Sequence, residues 1–376
     1  MMKIHIVVGA RPNFMKMAPL HAEFCKYANK FQVRLIHTGQ HYDDNMSKLF
    51  FTDLGMPAPD VYLEVGSGTQ GVQTAKIMER YENYLLADMP DLVLVAGDVN
   101  STLACALDAA KLHIPVGHVE AGLRSYDRRM PEEINRVLTD QISDYLFTPS
   151  PDGDANLLKE GIAKDKIYRV GNIMIDSLIR HQVIAEKTDI LDKLQLCRKG
   201  MIEPYCLVTL HRPSNVDEKS GLETILNAFG EIGKRIKIIF PMHPRTRHNI
   251  QTFHLEKLLA SLPNLFVTEP LGYLDFLHLE MKAQIVITDS GGIQEETTFL
   301  QIPCLTLREN TERPITIFEG TNQLVKLETD SIVKAAEDVL NGNFKHGKIP
   351  DLWDGHTSER IVQVFKDGKS EASGRK

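Results

Sequence analysis

The chain has no long apolar run, no C-x-x-C pair and no excess of positive charge. Each absence closes off a class of function. No stretch approaches the ~20 apolar residues that span a bilayer, so no membrane role is expected. The opening MMKIHIVVGARP lacks the apolar core and small-residue cleavage site of a secretory signal. Cys25, Cys105, Cys197, Cys206 and Cys304 are odd in number and scattered, which excludes a zinc ribbon or a disulfide framework and fits reduced thiols in the cytoplasm. Acidic residues outnumber basic ones by 50 to 43, for a net charge of −7, so neither nucleic acid nor an acidic membrane is expected as the main partner. GxGxxG, Walker and HExxH patterns are missing; dinucleotide, ATP-loop and zinc-protease chemistry have no support. There is no tandem repeat.

What remains is a globular composition, 43% apolar and 25% charged over 376 residues, enough for two domains. Short β-branched runs at Ile4–Val8, Val33–His37, Leu92–Ala96, Val116–Val119 and Tyr145–Thr148 alternate with helical stretches near 14–29, 43–53, 69–87, 101–112 and 132–142. Apolar runs such as LVLVA suit strands covered on both faces, hence a parallel sheet. After turn-rich residues 148–156 and Gly171-Asn172, a helix is predicted over 173–197. Strands then restart at Tyr205–Leu210, Lys237–Phe240, Leu265–Val267, Ile285–Thr288, Cys304–Leu307 and Gln323–Val325. The pattern predicts an α/β protein of two doubly wound, Rossmann-like domains, 1–171 and 172–355, facing each other across a cleft. A last helix, 357–366, begins with Thr357 and Glu359 as a capping pair; the C-terminal segment 356–376 should pack back on the first domain, ending in a polar, disordered tail.

Ligands of such sheets bind beyond the carboxyl ends of strands. The first strand runs into Gly9-Ala10-Arg11-Pro12 and a helix carrying Lys16, which together suggest a phosphate cradle of turn amides and cations. Asp98 and Glu120 follow two buried strands, and Glu132 and Glu133 follow Pro131 at a helix start. Singly these acids read as caps or helix-dipole partners; gathered in one place they suit proton transfer. In the second half, His211 and His243 follow strands without metal-ligand spacing, so no metal is expected; His243 is expected to bind substrate. Asp289-Ser290-Gly291-Gly292-Ile293-Gln294-Glu295-Glu296 opens a helix after a strand. Its small residues let a diphosphate reach the helix N-terminus, and Glu296 one turn in could accept from a ribose hydroxyl pair. Arg313 in TERP offers a further cation.

VVGARPNFMKMAPL, HTGQHYD, AGDVNST, GHVEAGLRS, MPEEINR, VTLHR, DSGGIQEE and TERP occur in the order found in non-hydrolysing UDP-N-acetylglucosamine 2-epimerases, and the resemblance covers residues 3–367. It implies the GT-B architecture and interconversion of UDP-N-acetylglucosamine and UDP-N-acetylmannosamine. It also implies that no NAD, metal or other cofactor takes part and that the pathway served is cell-envelope polysaccharide synthesis; relatives are commonly homodimers. By motif it implies Asp98, Glu120, Glu132 and His211 as the catalytic set, and Arg11, Lys16 and Arg313 as substrate contacts. Ser290, Gly291 and Gly292 fall at the diphosphate cradle, Glu296 at the ribose, and Phe276 at the uracil pocket. His211-Arg212-Pro213-Ser214-Asn215 stands where many members read HRREN. Leu271 stands where many carry glutamine, leaving uracil recognition there to backbone. Gln40-His41-Tyr42-Asp43 keeps part of a Gln-His-x-Gln stretch through which some members bind an activating second substrate. Relatives also act on UDP-diacetamido-glucuronate, and a GT-B glycosyltransferase would share Ser290–Glu296 without needing the three acids.

Overall fold

The computed structural model describes residues 1–40, 55–198 and 200–366, with the backbone alone at 11 and 12. The helix expected at 43–53, residues His41-Tyr42-Asp43 and the polar tail lie outside the described residues. The chain divides into two units, Met1–Ile179 with Asp351–Lys376, and Arg180–Pro350.

In the first unit, β1 (Met2–Val8), β2 (Phe31–His37), β3 (Val61–Tyr62), β4 (Leu92–Ala96), β5 (Val116–Val119), β6 (Tyr145–Thr148) and β7 (Ile167–Arg169) form a parallel sheet in the order β3-β2-β1-β4-β5-β6-β7. The strand order reverses between β1 and β4, the switch point at which such sheets bind ligands. The connecting helices are α1 (Arg11–Cys25), α2 (Gln70–Ala87), α3 (Asn100–Lys111), α4 (Pro131–Ile142), α5 (Pro151–Lys159) and α6 (Ile173–Ala185). All five residues of β4 are buried, because helices cover both faces of the sheet. Helix α2 turns Gln73, Ile77, Tyr81 and Leu85 inward at four-residue spacing and polar residues outward.

The second unit holds α7 (Ile190–Lys193), a short ribbon of β8 (Cys197–Arg198) and β9 (Met201–Ile202), and a six-stranded parallel sheet in the order β12-β11-β10-β13-β14-β15. Its strands and helices alternate: β10 (Tyr205–Thr209), α8 (Pro213–Val216), α9 (Lys219–Ile232), β11 (Lys237–Pro241), α10 (Pro244–Thr252), α11 (Glu256–Ser261), β12 (Leu265–Thr268), α12 (Tyr273–Lys282), β13 (Ile285–Thr288), α13 (Gly291–Leu300), β14 (Cys304–Thr306), α14 (Pro314–Phe318), β15 (Asn322–Leu324) and α15 (Thr329–Leu340). Side chains alternate across β10. Cys206 and Val208 join the core beside Leu222, Phe229 and Ile332, whereas Tyr205 and Leu207 join Leu279 and Val286 on the opposite face. Both units are therefore doubly wound α/β sheets of the Rossmann type.

The helix predicted over 173–197 is not continuous. It stops at Ala185; Thr188 turns its hydroxyl to His278 Nδ1 at 3.0 Å, and Gln195 takes a left-handed φ of 53° before β8. Helix α1 starts earlier than the predicted 14 because Pro12 sits in the first turn, where its missing N–H breaks no helical bond.

The first unit extends past Gly171 to Ile179 because the start of α6 is bonded into it: Ser177 is held by the Met15 carbonyl. The last helix, α16 (Thr357–Lys366), belongs to the same unit and packs on α1. Phe365 stands edge-on to Tyr145 and Phe147, with ring centroids 5.1 and 6.0 Å away. The predicted Thr357/Glu359 cap is not what starts this helix. Asp176 of α6 accepts from the amides of Thr357 at 3.1 Å and Ser358 at 2.7 Å, while Glu359 pairs with His356 at 3.2 Å. A buried carboxylate from another helix meets the orphan N–H groups.

Candidate active site

The ends of β1, β4 and β5 lie side by side in the first sheet. The turn after β1 is not the open phosphate cradle expected. The amides of Gly9 and Ala10 both donate to Asn13 Oδ1 at 3.2 Å, and Asn13 Nδ2 donates to the Ala96 carbonyl at 2.8 Å. The turn is thereby sealed and tied to the end of β4. Arg11 opens α1, and its side chain is outside the described residues. Lys16 is buried rather than solvated; its ammonium forms an ion pair with Glu120, and each of the two residues is 5% exposed. Gly97 makes room for this pair. It has φ of 67°, and a β-carbon there would lie 2.7 Å from Lys16 Nζ.

Glu120 itself takes φ of 70°, a left-handed conformation that costs a non-glycine residue roughly 1–3 kcal/mol. Asp98, next to Gly97, forms an ion pair with Arg136 of α4. Arg136 is 2% exposed and also donates to Glu133 Oε2 at 2.6 Å. The two glutamates after Pro131 part company here. Glu133 accepts from the amides of Ser125 at 2.9 Å and Tyr126 at 2.8 Å. Burial works against its charge, but Arg136 and those amides hold its carboxyl below the usual range. Glu132 is half-buried, has no hydrogen bond or ion pair among the described residues, and shares a helix face with Arg136 four residues on.

Behind these strand ends runs a buried network that the sequence did not reveal. His118 of β5 reaches Asp140 Oδ1 through Nδ1 at 2.6 Å and the Gly97 carbonyl through Nε2 at 2.8 Å. Asp140 also accepts from the Gly122 amide at 3.1 Å and pairs with Arg124 at 2.7 Å. It is fully buried, a cost that His118 and Arg124 outweigh, so its carboxyl stays below the ordinary range. One polar cluster thus fixes the backbone on both sides of the candidate acids, at Gly97 and at Gly122.

In the second unit, Asp289 organises the turn after β10. It has no exposure and accepts from the amides of His211 at 3.0 Å and Arg212 at 2.8 Å and from Asn215 Nδ2 at 3.0 Å. His211 Nδ1 lies 3.3 Å from the same carboxylate. His243, whose ring centroid is 5.4 Å from that of His211, caps α10 by accepting from the Arg245 amide at 3.1 Å; its Nδ1 is therefore spent on structure.

Ser290 precedes α13, and Gly291 and Gly292 open it. A β-carbon on Gly291 would lie 2.6 Å from Arg313 Nη1, so glycine is what lets the guanidinium lie against the helix N-terminus. Arg313 Nε is 3.0 Å from Glu295. It also pairs with Glu312, whose carboxyl Arg313, Arg308 and Arg212 hold well below the usual range despite its burial. Glu296 is 3% exposed and accepts from the Tyr273 hydroxyl at 3.2 Å. Leu271 and Phe276 are half-buried and pack with Ile293 on one apolar cluster.

Sequence reasoning missed Arg136, Asp289 and Glu312. Arg136 was signalled by its place one turn after Glu132, and Asp289 by opening the glycine-rich turn. Glu312 had a local signal in Arg308 four residues before it and Arg313 beside it, but its third cation, Arg212, comes from the distant turn after β10.

The sequence profile of the UDP-N-acetylglucosamine 2-epimerase family matches residues 23–366. The chain is 45% identical over 372 residues to the UDP-N-acetylglucosamine 2-epimerase of Methanocaldococcus jannaschii, covering 98% of this chain and all of that protein. It is 40% identical over 368 residues to the UDP-2,3-diacetamido-2,3-dideoxy-D-glucuronate 2-epimerase of Pseudomonas aeruginosa, covering 97% and 99% of the two chains. Its fold is similar to the crystal structure of the M. jannaschii UDP-GlcNAc 2-epimerase in complex with UDP-GlcNAc and UDP. The TM-score is 0.87, over 98% of this chain and all of that one.

Proposed function

Because the chain belongs to the UDP-N-acetylglucosamine 2-epimerase family, we propose that it interconverts UDP-N-acetylglucosamine and UDP-N-acetylmannosamine without hydrolysing them. The observation that supports this is the pair of carboxylates at the adjacent ends of β4 and β5, Asp98 on Arg136 and Glu120 on Lys16, with Glu132 in the first turn of α4, one turn before Arg136. Inverting C2 of an N-acetylhexosamine is difficult because no adjacent carbonyl acidifies that C–H bond. Breaking the C1–O bond solves the problem: the developing oxocarbenium makes the C2 proton acidic, UDP leaves with the bonding pair, and 2-acetamidoglucal forms. Return of a proton to the other face of C2 and of UDP to C1 completes the epimer.

The route needs a base, an acid and a site that stabilises departing UDP. On this reading the three acids of the first unit handle the sugar's protons. Glu132, with no ion-pair partner among the described residues, can exchange a proton without breaking such a pair. Arg11 and Lys16 contact substrate. In the second unit, the N-terminus of α13 with Ser290, Gly291 and Gly292 takes the diphosphate, with Arg313 and His211 adding positive charge. Glu296 takes the ribose, and Leu271 and Phe276 border the uracil. The enzyme works as a homodimer in the cytoplasm and supplies cell-envelope polysaccharide synthesis, as the family resemblance implies.

The test is incubation with UDP-N-acetylglucosamine in deuterium oxide, followed by NMR, with neither NAD nor acceptor added. The expected product is UDP-N-acetylmannosamine carrying deuterium at C2. Free N-acetylmannosamine would instead identify a hydrolysing enzyme, and an unreacted sugar would leave either a glycosyltransferase or an epimerase of another UDP-sugar. The 40% identity to the P. aeruginosa protein makes UDP-diacetamido-glucuronate the second substrate to run; faster turnover of it would transfer the assignment to that sugar.

A further inference from the structure

Tyr273 and Glu280 stand seven residues apart on α12, hence on one face of the helix, and α12 packs on α13 where Glu296 sits. Glu280 has no solvent exposure, and neither of its carboxyl oxygens meets a hydrogen-bond donor among the described residues. The group in side-chain contact with it is the carboxyl of Glu296, itself 3% exposed. Two carboxylates in contact, walled off from water, cannot both carry charge. A proton must be shared between them.

Among the described residues, no cation pairs with Glu280. Tyr273 donates to Glu296 Oε1 at 3.2 Å, and His181 meets the Tyr273 ring edge-on with centroids 5.8 Å apart. From β14, Cys304 faces Glu280 as a neutral thiol pushed up to about 12 by burial. On α13, Glu295 takes the Arg313 guanidinium. On the side of α12 toward α7, Lys193 is spent at the surface on Asp189 at 2.8 Å, and Asp192 is exposed. His278 bonds Thr188, and Lys282 lies 3.4 Å from Glu186. Burial first, and the adjoining Glu296 second, push the Glu280 carboxyl far above the ordinary carboxylate range.

We propose that Glu280 is a positioning residue for nucleotide binding: un-ionised, it donates its proton to Glu296 and holds that carboxylate turned toward the hydroxyl pair of a ribose. The inference rests on the reading of Glu296 as the ribose contact. Nothing in the α13 motif requires an acid at 280. An apolar residue would fill the space but would take away the donor that Glu280 offers Glu296, whereas glutamine would keep an N–H in its place.

Two measurements test it. Infrared spectroscopy with 13C-labelled glutamate should show a protonated carboxyl band in the wild-type protein at neutral pH that is missing from Glu280→Gln; a wild-type spectrum without that band overturns the shared proton whatever the variants do. Calorimetric titration with UDP should show Glu280→Gln binding close to wild type and Glu280→Met about tenfold weaker, the loss typical of one hydrogen bond to a charged group. The tenfold loss should vanish when the probe is 2′,3′-dideoxy-UDP, which has no diol. Equal UDP affinity in Glu280→Met and wild type overturns the positioning role, as does a loss of the same size with the dideoxy probe. If Glu296→Gln binds UDP as tightly as wild type, it is the ribose reading that fails, while the infrared band reports separately on the shared proton.

Discussion

Glu132 and Glu133 are adjacent in sequence and chemically far apart. Glu133 is clamped by two amides and Arg136; Glu132 has no partner among the described residues. Glu132→Gln should therefore leave the melting temperature unchanged and cut turnover by about two to four orders of magnitude, the usual yield of general acid–base catalysis. Glu133→Gln should melt early, since a hydrogen bond to a charged group contributes about 1.5–3 kcal/mol. Melting and turnover measured on both proteins check the assignment, and a Glu132→Gln enzyme that melts early yet keeps its rate would remove Glu132 from the reaction. Residue types at strand ends, Asp98 and Glu120 among them, were legible in the sequence because the strand pattern places them. Their partners were not. Gly9-Ala10 and Lys16 read together as an anion cradle; that Asn13 takes the turn amides and Glu120 the ammonium was not legible, because those groups arrive only once the chain has folded.

At the scale of elements, periodicity revealed most strands and helices, because burial on both faces leaves runs such as Leu92–Ala96 without polar residues. It missed β3, β7 and the β8–β9 ribbon, which are only two or three residues long, too short for any period to emerge. The Asp176 cap of α16 was equally invisible, since donor and acceptor are about 180 residues apart. Packing between helices also buries Asp108 of α3, 3% exposed, where desolvation and, secondarily, Glu82 of α2 raise its carboxyl from 3.8 to about 7. The unfolded chain then releases this proton at a lower pH than the folded one. Stability should fall as pH rises from the lower value to the higher and level off above it. Asp108→Asn should abolish that decline, stabilising the protein by on the order of a few kcal/mol above neutrality and by nothing in acid. Urea unfolding at both extremes checks this, and an equal gain at the two would point to packing instead of ionisation.

Over the whole molecule, the first unit is assembled from both ends of the chain. Helix α16 lies on α1, and Phe365, 7% exposed, fills the space beside Tyr145 and Phe147. Phe365→Ala should cost about 3 kcal/mol, at the lower end for a buried aromatic. Hydrogen exchange should locate the loosening in β1, β6 and α1; protection lost equally from β10 to β15 would contradict it. The same arrangement sets an order of events during synthesis. Domains ordinarily fold as they leave the ribosome, first-made first. Here the amino-terminal sheet emerges early yet lacks its last helix until translation has passed through Arg180–Pro350, so the first unit to be synthesised is the last to be completed. A message truncated after the codon of Pro350 but before those of α16 yields a finished second unit beside an unfinished first one, with the apolar surface that Phe365 would have covered left open to chaperones and proteases.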